Sequence, residues 1–259
     1  MRILPIGFWA VSTSGETTSF LIEHTDFRLL LDVGLNPAFH LQQSQCRLTD
    51  ISHVFISHCH SDHMQGFANL VFTRAVQERQ FGKARPLKVM ASKTNIKNCQ
   101  KLLGIFYPDR EFQVEWQEID QGEEVVLGGD HRASFIRNDH TVESIGLALR
   151  SGSNKLICYT SDTSMHSGLI DFCQNSTALL GECFGTNEDF GDVMRTQKHL
   201  SAEDVARLSA QANVKLLVLF HMHAPYAIPA KQAALLELIA CTFHGRIVFP
   251  VAHEPVDVT

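Results

Sequence analysis

Short apolar runs, most of them strand-length, alternate along this chain with polar clusters and helical periods. The apolar start, Met1 to Ser14, reads as a first strand broken by Pro5 and Gly7. Residues 20–22 and 29–31 read as strands with a turn near Asp26. Residues 54–57 form a buried strand that runs straight into a histidine-rich loop. Residues 65–80 have helical spacing, with Phe67, Leu70, Val71, Ala75 and Val76 on one face. Residues 87–91 read as a strand, and Ser92 is placed to cap a helix that runs to about Leu103. Strands follow at 112–116, 124–127 and 133–137, with Gly128-Gly129 at a turn.

The second half repeats this style. Residues 147–150 and 155–160 read as a hairpin around Ser151-Gly152-Ser153-Asn154. Residues 178–182 form a strand, and Ser201 with Asp204 opens a helix to about Gln211 as a capping box. Residues 215–220 form a buried strand ending in His221-Met222-His223, before a helix at 230–242 and a strand at 246–249. Strands outnumber helices and both occur in each half. This pattern predicts an α/β protein of the α+β type, with two packed sheets and outer helices rather than one doubly wound parallel sheet.

Composition narrows the class. The chain has 259 residues, 44% of them hydrophobic, enough for one sizeable core, so a single domain over residues 1–259 is expected. The formal charge of −6 gives no general attraction to nucleic acid or an anionic membrane. No run is long enough to span a bilayer. The seven cysteines lack CxxC spacing and read as reduced thiols, which predicts a cytoplasmic protein without membrane partners. The 14 histidines stand out, although His24, His40, His53, His131, His166, His244 and His253 match no motif.

Ser57-His58-Cys59-His60-Ser61-Asp62-His63 places four metal-ligand side chains within six residues, between a strand and a helix. A loop in that position can turn His58, His60, Asp62 and His63 into one cavity. The run matches the HxHxDH motif of the metallo-β-lactamase superfamily, and the chain resembles that family over nearly its whole length. Further motifs occur in the family's order: Asp32-Val33-Gly34 after an early strand, His140 within 140–146, Asp162 in Ser161-Asp162-Thr163, and His221 after a strand. The resemblance implies the αββα four-layer sandwich of that family.

The stretch from His199-Leu200-Ser201-Ala202-Glu203 to Leu216-Leu217-Val218-Leu219-Phe220-His221 is similar to the ribonuclease Z branch, as are 140–146 and Glu182. That branch carries a tRNA-gripping arm between its third-motif histidine and its bridging aspartate. Here 21 residues separate His140 from Asp162, so the arm is missing, and 222–226 departs from the Ser/Arg-rich sequence expected there. Small armless members are similar to phosphodiesterases of cyclic or nucleotide-like esters.

The resemblance implies two divalent metal ions. His58, His60 and His140 would hold one, Asp62, His63 and His221 the other, and Asp162 would bridge them. A nitrogen and oxygen donor set suits Zn²⁺, and also Mn²⁺ or Fe²⁺. The implied activity is hydrolysis of a small or nucleotide-like phosphodiester by a metal-bound hydroxide, with Asp62 orienting the water. His199 would stand at the phosphate or protonate the leaving oxygen, held by Glu182. Ser144 and His223 are candidates for substrate binding, Arg195 and Lys198 could attract a phosphate, and Asp32 would tie the early turn under the metal loop. A homodimer is the default from the branch. Alternatives are a lactonase or thioesterase, which does not require the His199–Glu182 pair, and pre-tRNA 3′ processing, which the missing arm disfavours. A non-catalytic relative usually loses ligands, and all seven positions are intact. A di-iron oxygen-reducing relative carries Glu where His60 stands.

Overall fold

Each sheet of the protein begins as an antiparallel meander and continues as parallel strands linked by helices. The computed structural model describes the whole chain apart from Ser12, Ser14, residues 83–85, Ser153 and Thr259. The described residues form two compact units, each built around its own seven-stranded sheet. The first comprises Met1–Gly7, Glu16–Ile119 and Val251–Asp257; the second comprises Phe8–Gly15, Asp120–Pro250 and Val258.

In the first unit, β1 (Arg2–Gly7), β2 (Ser19–Glu23) and β3 (Arg28–Leu31) pair antiparallel, and the late strand Val256–Asp257 adds to the outer edge of β1. Then β4 (His53–Ile56), β5 (Leu87–Ala91) and β6 (Val114–Glu118) continue from β3 in parallel. The connections carry α1 (Pro37–Gln43), the short α2 (Ser61–Met64), α3 (Phe67–Phe81) and α4 (Lys93–Phe106). Leu21, Leu30, Val54 and Val89 stand in register across four strands, all without solvent exposure, and share a core with Phe67, Leu70, Val71 and Cys99. Such a row is the period-two face of a sheet meeting the apolar stripe of its crossover helices. Val76, expected on that stripe, is instead exposed, and Arg74 is buried in the last turn of the face with its guanidinium paired to Glu78. Ser92 caps α4 as expected, its hydroxyl accepting from Asn95 N at 3.2 Å, but the helix continues to Phe106.

In the second unit, β7 (Glu124–Gly128), β8 (His131–Arg137), β9 (Ile145–Ser151) and β10 (Asn154–Tyr159) form the meander. The expected β9–β10 hairpin is present, with Ser153 of its turn outside the described residues. The strands β11 (Ala178–Glu182), β12 (Leu216–Phe220) and β13 (Arg246–Val248) follow in parallel, with α5 (Leu169–Cys173), α6 (Asn187–Gln197), α7 (Ala202–Gln211) and α8 (Pro229–Ala240) in the connections. All five residues of β11 and all five of β12 are buried, as expected of parallel strands covered on both faces. The Ser201–Asp204 capping box is formed. Sequence patterning overlooked α1, α5 and α6; α6 has a signal in its Thr186 N-cap, whose hydroxyl accepts from Asp189 N at 3.1 Å, and in acidic Glu188 and Asp189. Among the described residues, no helix is long and apolar enough to cross a membrane.

Candidate metal centre

In the first unit, the ends of β3 and β4 lie side by side and deliver Asp32 and the 57–63 loop together. The turn after β3 is tightly bound to that loop: Asp32 N donates to Phe55 O at 2.8 Å and Val33 N to His63 O at 2.7 Å. Gly34 is required there, because a Cβ at this position would stand 2.5 Å from the Asp62 carbonyl oxygen.

Asp32 is fully buried and organises two imidazoles. Its Oδ1 accepts from Ser57 N at 2.7 Å, and its Oδ2 accepts from Ser57 Oγ at 2.7 Å and from His63 Nδ1 at 2.8 Å. The Ser57 hydroxyl, donating to Asp32, accepts in turn from His58 Nδ1 at 3.0 Å. Both histidines therefore carry their proton on Nδ1 and keep the Nε2 lone pair for a ligand bond. His58 Nε2 lies 3.1 Å from His60 Nδ1, and His63 Nε2 lies 3.7 Å from Asp62 Oδ2. Asp32 has the tying role expected of it, and the motif runs from the loop after β4, with His58 and His60, into α2, with Asp62 and His63.

In the second unit, the carboxyl ends of adjacent parallel strands β10, β11 and β12 carry Asp162, Glu182 and His221. This is the edge at which parallel sheets present functional groups. Ser161 and His221 have φ of 54° and 61°, as Asp32 has φ of 56° in the first unit. Left-handed backbone at non-glycine residues is costly, and here it turns the chain out of the ladder beside the candidate ligands.

Asp162, Glu182, His199 and His221 bring one ligand atom each within 4.8 Å of one another. His221 Nε2 is 3.1 Å from Asp162 Oδ2, and His199 Nδ1 is 3.8 Å from the same oxygen. Glu182 is fully buried; its Oε1 accepts from His199 Nδ1 and its Oε2 from Thr163 N at 2.8 Å and Leu200 N at 3.3 Å. Phe184 stacks on His199 with ring centroids 4.8 Å apart. His140 donates from Nδ1 to the Lys198 carbonyl at 3.1 Å, which leaves Nε2 as the atom that could hold a metal, and burial holds its pKa below the usual imidazole range against the pull of Asp162.

Other expected residues stand differently. Ser144, expected at the substrate, is buried: its hydroxyl donates to the Asp162 carbonyl at 2.9 Å and accepts from Asn138 Nδ2 at 3.0 Å, so its proton is held by the loop itself. His223 packs its ring against Phe190 and Phe184 at 4.8 Å and 5.2 Å, and burial lowers its pKa. Arg195 is paired with Asp192 and Lys198 with Asp139. Sequence reasoning gave Asp139 and Phe184 no role; they neighbour His140 and Glu182 in the chain, and it is their contacts with Lys198 and His199 that only the tertiary structure shows.

Each cluster supplies imidazole and carboxylate donors in buried surroundings, which fits a first-row divalent ion. The fold agrees with known structures. The chain is similar to the metallo-β-lactamase fold protein YhfI from Bacillus subtilis, at TM-score 0.82 and 20% identity over 99% of both chains. It is similar to human tRNase Z, short form, at TM-score 0.79 and 16% identity over 100% of both. In sequence it is 21% identical to a ribonuclease Z of Archaeoglobus fulgidus over 92% of this chain and 90% of that protein. The metallo-β-lactamase fold and the ribonuclease Z likeness expected from the motifs both hold. The family model described as anti-Pycsar protein Apyc1 matches residues 1–240, and the chain belongs to that family.

Proposed function

We propose that this protein is a metal-dependent phosphodiesterase acting on a small or nucleotide-like phosphodiester, cyclic esters among them. The observation that carries the reading is the Glu182–His199 pair beside Asp162, a buried carboxylate holding an imidazole by Nδ1. A carbonyl hydrolase does not require that pair, whereas expulsion of an alkoxide from phosphorus benefits from a proton donor at the leaving oxygen. With Nδ1–H donated to Glu182, Nε2 of His199 is the atom left to meet the leaving oxygen, and it gives up a proton there from the imidazolium that pairs with the Glu182 carboxylate. The likeness to ribonuclease Z supports the hydrolase class.

In this reading His58, His60 and His140 would hold one divalent ion and Asp62, His63 and His221 a second, with Asp162 shared between them. Zinc is the first choice from the donor set. When bound, such a pair supplies a water that ionises near neutral pH and positive charge opposite the phosphoryl oxygens. The chain's own residues do the rest. Asp62 would orient the attacking water, Asp32 and Ser144 keep the ligand loops in place, and the His223 ring packs on Phe184, which stacks on His199. The absence of a tRNA arm and the −6 charge favour a small ester over a polynucleotide, in a cytoplasmic setting.

The test is a panel assay of zinc- and manganese-loaded protein on an aryl phosphodiester, a nucleoside cyclic monophosphate, a thioester, a lactone and pre-tRNA. Hydrolysis of the two phosphodiesters is expected. Turnover of lactone or thioester with none of the phosphodiesters overturns the reading, and so does cleavage confined to pre-tRNA.

A further inference from the structure

His140 sits in the 138–144 segment between β8 and β9, outside the strand ladder, so its position depends on contacts made by its neighbours. One residue, Lys198, supplies two of them. Its carbonyl accepts from His140 Nδ1 at 3.1 Å, and its ammonium lies 2.7 Å from Oδ1 of Asp139, the residue before His140. The contacts close a ring: Asp139 to His140 along the chain, His140 to the Lys198 backbone, and the Lys198 side chain back to Asp139.

Asp139 reaches a further segment. Its Oδ2 accepts from Ser164 Oγ at 2.5 Å, its carbonyl accepts from Ser164 N at 2.9 Å, and its amide donates to Thr163 Oγ1 at 3.2 Å. The segments of His140, Asp162 and His199 therefore meet at one carboxylate. Lys198 ends α6 with φ 59° and ψ 62°, a left-handed position that glycine fills with less strain. A lysine there is accounted for by what its side chain holds. The ion pair and the Ser164 hydroxyl keep the Asp139 carboxyl below the ordinary carboxylate range.

We propose that Lys198 and Asp139 form a positioning clamp that fixes the place and the tautomer of His140, and through it the affinity for the ion that His140 holds. The inference rests on the reading of His140 as a metal ligand. A carbonyl can only accept, so the clamp keeps the proton on Nδ1 and the lone pair on Nε2. Neither clamp side chain touches substrate. Both are half-exposed, at 42% and 48%, so their substitution leaves the core intact.

The test is zinc affinity by chelator competition, with imidazole ¹⁵N shifts of His140 in the metal-free protein as a second readout. Lys198→Met and Asp139→Asn are each expected to weaken zinc binding about tenfold, the scale of an outer-shell partner. The double variant is expected to be no weaker than either single one, because both break the same ring. Lys198→Arg is expected to restore affinity. High salt is expected to narrow the gap between wild type and Lys198→Met, because a half-exposed pair is screened. The ¹⁵N shifts are expected to move away from a single Nδ1–H tautomer in Lys198→Met. Wild-type affinity and an unchanged tautomer in both single variants overturn the proposal, and so do losses that add in the double variant. Clamp-dependent affinity in a protein that hydrolyses no phosphodiester sustains the clamp and overturns the substrate reading instead.

Discussion

The Asp32 carboxylate accepts a hydrogen bond from His63 Nδ1 at 2.8 Å, and both side chains are sealed from solvent. The same oxygen accepts from the Ser57 hydroxyl, which accepts from His58 Nδ1. One carboxylate thus sets two imidazoles that present Nε2. Asp32→Asn puts an amide where a double acceptor is needed. It is expected to weaken divalent-ion binding by about 10–100-fold, the scale of a lost outer-shell partner. Chelator competition on the purified variant measures this; affinity equal to wild type rules the relay out.

His199 and Glu182 separate chemistry from metal holding. Removing a proton donor from the transition state costs about 10²–10⁴-fold in rate. His199→Ala is expected to lose that much kcat on an aryl phosphodiester, with KM and bound metal little changed. Steady-state kinetics beside elemental analysis makes the distinction. A variant that loses its metal instead would place His199 among the ligands. Glu182→Gln is expected to lower kcat in the same direction and to lower stability, since its oxygens also accept from the Thr163 and Leu200 amides.

Acid stability has a source away from the site. His53 begins β4 with 4% of its surface exposed. Its Nδ1 donates to Ser52 Oγ at 2.8 Å, and among the described residues its buried Nε2 has no hydrogen-bond partner. Burial, with Lys88 opposite on β5, pushes its pKa down to about 4, from 6.5 in an unfolded chain. As pH falls below 6.5 the unfolded chain takes up the proton while the native state does not. The stability that His53 confers is therefore whole above that pH and is lost progressively as pH falls towards 4. The full loss is about 3 kcal/mol. Urea unfolding of metal-free protein at pH 7 and 4.5 checks the sign: wild type is expected to lose more stability than His53→Gln between the two. An equal loss in both removes His53 from the account.

Much of this protein was legible before any coordinates. Short apolar runs, Ser92, and the Ser201–Asp204 box located β5, β11, α4 and α7, because caps and apolar clustering are local physics. The candidate ligand side chains were legible because hydrolytic metal chemistry accepts few residue types, and His58 to His63 crowd them together. The helix α6 was missed because its Gly191 and its polar composition weaken the local signal, and its end at left-handed Lys198 is not a glycine.

Tertiary structure decided the supports. Asp32 lies 31 residues from His63, and Asp139 lies 59 from Lys198; no period or cap encodes such pairs. It also gave Ser144 a bond to the Asp162 carbonyl, because burial commits a hydroxyl proton to whatever acceptor the fold places beside it. The sequence by itself determined which donors are present and which local elements carry them. The order of parallel strands decided which carboxylate meets which imidazole, and hydrogen bonds to the outer ring nitrogens of His58, His63, His140 and His199 set the atoms left for chemistry.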